Sequence, residues 1–164
     1  MPKILVICTA NICRSPFAEA LLEQRLKDAG FDDFVVESAG TWAQLERPPA
    51  RYSIRLAREM GLAIESHRAR MVDEEMLAAA DLVLTMTASH KEALQVEFRQ
   101  HAPRIFLLSE MAGSHFDVAD PYGGPWEDYL EMQSDVVRLV DDGLRRIAAA
   151  AQHFARKRAE ASSG

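Results

Sequence analysis

Cys8-Thr9-Ala10-Asn11-Ile12-Cys13-Arg14-Ser15 follows directly on the apolar run Ile4-Leu5-Val6-Ile7 and leads directly into Pro16-Phe17-Ala18-Glu19-Ala20. A thiol with an arginine six positions on and a serine beside it has the composition of a loop that grips an oxyanion and attacks it. The apolar run reads as a buried strand, and Pro16 as the first residue of a helix, where its missing N–H would be unpaired anyway. A turn from strand end to helix start lets successive backbone N–H groups converge on one anion. That field, with Arg14 beside it, favours a negatively charged sulfur at Cys8. Most unpaired cysteines are small buried hydrophobes. Here the spacing, the arginine, the serine, the proline and the strand agree on one geometry. The turn contains no glycine, so it is not a glycine-rich dinucleotide turn.

A phosphomonoester resists attack because its charge repels nucleophiles. Hydrolysis therefore needs charge neutralisation, an aimed attacker and a proton for the leaving oxygen. Cys8 would attack phosphorus in line and form a phosphocysteine. Arg14 would hold two phosphoryl oxygens through its planar fork, with the amides of Thr9, Ala10, Asn11, Ile12, Cys13 and Ser15 holding the rest. The Ser15 hydroxyl can donate to the Cys8 sulfur and help it leave. Asn11 can adopt the left-handed conformation that a tight anion nest needs. The proton donor must come from the segment 109–125, which offers Asp117 and Asp120. Asp120 precedes Pro121 and is pushed into an extended conformation, while Gly123-Gly124 leaves the loop free to close. Trp42 and Tyr122 could wall a slot for a flat side chain. The five histidines show no ligand spacing and are expected to be structural or solvated. No metal and no cofactor are expected.

The elements that must hold this loop follow from periodicity. Expected strands are Lys3–Ile7, Phe34–Ser38, Asp81–Met86 and Arg104–Leu108. Between them, helices are expected over Phe17–Ala29 and Ser53–Met60, ended by Gly30 and Gly61, and over Asp73–Ala80 and Ala88–Val96. A last helix begins near Trp126 and runs past Ile147, with Leu130, Val136, Val137, Val140, Leu144 and Ile147 as its core face. Ala159–Gly164 should fray. Strands alternating with helices predict an α/β fold: a single-domain, doubly wound, four-stranded parallel sheet with helices on both faces, spanning 1–158. Ligands of such sheets sit outside the carboxyl ends of the strands, where the Cys8 loop lies. The chain has 164 residues, is 48% hydrophobic and has a net charge of −6. That suits one core and argues against nucleic acid as a partner. No apolar stretch is long enough for a membrane span, and no signal-peptide layout opens the chain. A cytoplasmic, reducing location is expected, since both cysteines share one short loop.

These residues resemble the low-molecular-weight protein-tyrosine phosphatases, with their protein-arginine-phosphatase and arsenate-reductase relatives. The resemblance runs from Cys8–Pro16 through Ser38-Ala39-Gly40-Thr41, Ser66-His67-Arg68-Ala69-Arg70 and Asp81-Leu82-Val83-Leu84 to Asp120-Pro121-Tyr122-Gly123-Gly124. It implies a cysteine-dependent phosphatase acting on a phosphorylated protein, with inorganic phosphate or a similar oxyanion binding in the loop. It also selects Asp120 as the acid, and it implies a protective Cys8–Cys13 disulfide on oxidation. Family members usually carry glycine where Ala10 stands, so alanine is expected to strain the loop if positive φ is needed there. Tyrosine phosphatases of the family carry isoleucine at the position of Ile12, and the arginine branch carries threonine. Gly113-Ser114-His115 and Asp120–Gly124 look more like the arginine branch. The expectation is phosphotyrosine, with phosphoarginine as the alternative. A thioredoxin-coupled arsenate reductase needs a third cysteine, which the chain lacks. A silent phosphate-binding module would not need Cys8, Arg14, Ser15 and Asp120 together.

Overall fold

In the computed structural model, which describes residues 1–163, four parallel strands form one sheet. They are β1 (Lys3–Cys8), β2 (Val35–Gly40), β3 (Leu82–Thr85) and β4 (Ile105–Leu107), in the order β2-β1-β3-β4. Strand alternation divides β1 between two apolar layers. Ile4, Val6 and Cys8 join Phe17, Leu21, Leu56, Val136, Val140 and Ile147 on one face. Leu5 and Ile7 join Leu77, Val83, Leu94 and Ile105 on the other. A strand buried on both faces reads as a continuous apolar run, as this one does. The α/β doubly wound expectation is met. Since β1 pairs with β2 on one side and β3 on the other, the crevice where the winding reverses opens at the carboxyl end of β1. Cys8 is the last residue of that strand.

Helix α1 spans Arg14–Asp28, so it begins three residues before the expected Phe17 and Pro16 is its third residue rather than its first. The N–H groups of a first helical turn have no intrahelical partner, so proline is tolerated there. β2 runs on to Gly40, whose absent Cβ would collide with the Thr9 carbonyl. Only glycine lets β2 lie against the loop. The remaining helices are α2 (Arg51–Glu59), α3 (Glu74–Ala79), α4 (Ala88–Glu97), the unexpected short α5 (Leu108–Met111) and α6 (Trp126–Ser163). A 3-10 segment at Arg99–Arg104 was likewise not signalled by the sequence.

Helix α6 continues where fraying from Ala159 is expected, because Arg158 ties it down. Its guanidinium donates to the carbonyls of Ala78 and Ala79 and, at 2.7 Å, to Asp81 Oδ1. Gly164, the last residue of the expected frayed tail, lies outside the described residues. On the inner face of α6, Tyr129, Met132 and Leu139 join Val136, Val140 and Ile147. Leu130, expected in the core, is exposed. No described helix is long and apolar enough to cross a membrane.

Candidate active site

The loop from Cys8 to Ser15 closes over its own side chains. Cys8 Sγ lies 2.9 Å from Ser15 Oγ, and both residues are buried. Asn11 takes the left-handed turn, with φ 58°. Its side chain donates to Ser15 Oγ at 2.7 Å and to Ser38 Oγ at 2.9 Å, and its Oδ1 accepts from the Arg70 amide at 3.1 Å. His67 Nε2 donates to the Asn11 carbonyl at 2.8 Å. Burial keeps His67 below the ordinary histidine range, so it holds the loop as a neutral ring. Ala10 is not among the positive-φ residues, so the strain expected there is absent; Asn11 takes the turn instead. Among the described residues, the amides of Thr9 to Cys13 donate to no backbone carbonyl.

Arg14 is buried at 3% exposure. Its Nη1 donates to the Val118 carbonyl at 2.9 Å and its Nη2 to Thr9 Oγ1 at 3.2 Å, while Nε has no partner. Nε and Nη2 form one edge of the planar group, the edge that meets two oxygens of one anion. Asp120 Oδ2 stands 3.6 Å from Nη2, and Asp120 Oδ1 accepts from the Tyr122 amide at 3.1 Å. The two candidate acids separate here. Asp117 Oδ1 accepts from the Ala88 amide at 2.8 Å and caps the start of α4. Asp120, half-exposed, faces Arg14.

A cavity of about 430 Å³ is lined by Cys8, Thr9, Ala10, Ile12, Cys13, Arg14, Asp120, Trp42 and Tyr122, together with Gln44 and Arg47. It therefore brings together every sequence-predicted site residue except Asn11 and Ser15, which brace the loop from behind. Trp42 is held by its amide to the Thr9 carbonyl at 2.9 Å while its ring stays exposed. Sequence reasoning missed Arg47, whose Nη2 donates to Tyr122 Oη at 2.8 Å with its guanidinium carbon 5.2 Å from that ring's centroid. His67 and His90, expected to be structural or solvated, both contact the loop. The Ser66–Arg70 motif was the available signal for His67. Cys13, at the back of the cavity, lies 3.5 Å from Tyr129 Oη of α6. Burial pushes its thiol up to about 11, with the charges of Asp120 and Cys8 adding to the effect.

The model of the family described as low molecular weight phosphotyrosine protein phosphatase matches residues 3–158. The chain belongs to that family. Among its relatives, the protein-arginine-phosphatase of Bacillus subtilis is 34% identical over 138 residues, 84% of this chain and 91% of that protein. A probable low molecular weight protein-tyrosine-phosphatase, EpsP of Ralstonia nicotianae, is 35% identical over 146 residues, 89% of this chain and 96% of that one. A solved structure of the YwlE arginine phosphatase, a cysteine-to-serine mutant with its active-site serine phosphorylated, superposes with a TM-score of 0.84 at 31% identity, covering 89% of this chain and 95% of that one. Family and site agree on phosphate-ester hydrolysis. The chain is a phosphatase of this cysteine-dependent class.

Proposed function

We propose that this phosphatase, through a domain of residues 1–158, removes the phosphoryl group from phosphotyrosine in proteins by way of a phosphocysteine at Cys8. The observation that carries the site assignment is the buried, unpartnered Nε of Arg14, which lines the same cavity as a sulfur already hydrogen-bonded to Ser15. A buried donor without an acceptor costs about 1–3 kcal/mol, and a phosphoryl oxygen removes that cost. In the first step the Cys8 thiolate forms the S–P bond as the P–O bond to the phenol breaks. Asp120, in its acid form, gives its proton to the leaving oxygen. In the second, water attacks phosphorus, the S–P bond breaks, and Asp120 takes the proton from that water. Ser15 Oγ donates to the departing sulfur. A bound dianion engages Arg14 and frees Asp120 from its 3.6 Å contact.

Ile12, Trp42 and Tyr122 give the cavity an apolar and aromatic wall, and Arg47 adds a positive charge to it. A phenyl ring fits such a wall, whereas the guanidinium of phosphoarginine would meet a like charge at Arg47. The named arginine-phosphatase relatives make phosphoarginine the second reading. Turnover of matched phosphotyrosine and phosphoarginine peptides, run side by side on wild type and Ile12→Thr, separates the two. Wild type is expected to favour phosphotyrosine, and Ile12→Thr to shift the ratio toward phosphoarginine. Wild type favouring phosphoarginine would overturn the substrate assignment.

A further inference from the structure

His90, on α4, reaches the site from outside the loop. Its Nε2 lies 2.8 Å from Thr9 Oγ1, the ring is 7% exposed, and Nδ1 is buried with no partner. Burial, and then the charge of Arg14, hold its pKa down to about 4, against the opposing pull of Asp117 and Asp120. The ring is therefore neutral near pH 7 and carries one proton, on one of two nitrogens. A proton on Nδ1 would leave a buried N–H without an acceptor. On Nε2 it leaves a lone pair unsatisfied, which folded proteins tolerate better. The proton thus belongs on Nε2, and His90 donates to Thr9.

The Thr9 hydroxyl has two lone pairs and one proton. One lone pair accepts from Arg14 Nη2 at 3.2 Å and the other from His90. Its own proton is then the one bond left to make, and Thr9 lines the cavity. We propose that His90 is a positioning residue: by occupying the second lone pair of Thr9 it turns the Thr9 hydroxyl proton onto the phosphoryl group held in the loop. Thr9 thereby adds a side-chain donor to the amide nest and the unpartnered Nε of Arg14. This inference rests on the phosphatase reading of the same cavity.

The test is a double-mutant cycle on the full chain, read as the inhibition constant of orthovanadate and as kcat/KM for an aryl phosphate. His90→Met and Thr9→Val are each expected to weaken vanadate binding about tenfold or more, the size of one hydrogen bond to an ionised oxygen. The double variant is expected to be no weaker than either. His90→Gln, whose side-chain amide offers an N–H to Thr9, is expected to retain most of the affinity. If His90→Met melts below the assay temperature, His90→Asn, too short to reach Thr9, replaces it. Losses that multiply in the double variant, or a His90→Met protein with wild-type affinity, overturn the positioning role and leave the phosphatase reading intact. A wild type that neither binds vanadate nor hydrolyses the aryl phosphate overturns both.

Discussion

Asn11 concentrates the loop's constraints in one residue, since it alone among the loop residues adopts positive φ and its side chain ties Ser15 to Ser38. The sequence marked Asn11 as suited to that conformation, but comparison with a family pattern drew attention to Ala10, one residue early. A type preference names which residues tolerate a left-handed turn; where the turn falls is decided by the partners waiting at Ser38 and Arg70. Asp120 and Asp117 show the same limit. The sequence favoured Asp120 as the acid, through the proline after it and the family resemblance, but the place of Asp117 at the α4 cap and the contact of Asp120 with Arg14 are tertiary. Asp120→Asn should lower turnover roughly a hundredfold for phenol leaving groups and much less for activated ones, because only the former need the proton. Asp117→Asn retains an acceptor for Ala88 and should stay near wild type. A leaving-group trend that appears in Asp117→Asn instead, measured across a series of aryl phosphates, would reverse the assignment.

At the scale of elements, the strand before the loop and the helix after it were legible because burial on both faces and the Cys-to-Arg spacing are local signals. Long-range closure was not. Tyr129 of α6 reaches Cys13 across 116 positions, and Tyr52 of α2 stacks edge-on against both Trp126 and Tyr129. Helical periodicity picked Leu130 for the core, one residue away from the aromatic that turns inward. These contacts bear on redox behaviour. Cys13 is held as a thiol, and oxidation of Cys8 to a sulfenic acid removes one of the negative charges that hold it so. Attack by Cys13 sulfur on that sulfenic acid forms the disulfide and releases water. Cys13→Ser should therefore match wild type in reductant and recover poorly after peroxide followed by reductant. Equal recovery of activity by the two proteins would exclude a Cys8–Cys13 pair.

Across the whole molecule, a partly buried carboxyl and a buried imidazole set opposite pH limits. Burial raises the Glu19 carboxyl to about 7, with Glu23 and Glu37 adding to the rise and Ser38 and Arg70 opposing it. A folded-state value above the unfolded one means stability is fully present below the ordinary carboxylate range and is lost as pH rises through about 7. His90 runs the other way: its depressed value makes stability fall as pH drops from the ordinary histidine range toward about 4. Glu19→Gln should raise the melting temperature at about pH 8 and do so far less at about pH 5. A gain that is equal at both would mean the carboxyl is not the titrating cause. The most direct measurement on the molecule as a catalyst is intact-chain mass spectrometry of acid-quenched turnover of a phosphotyrosine peptide, with the modified residue mapped. One phosphoryl group on Cys8 in wild type, and none together with no turnover in Cys8→Ala, is the expected result. Turnover that persists in Cys8→Ala, or a phosphoryl group on any other residue, would contradict the covalent route.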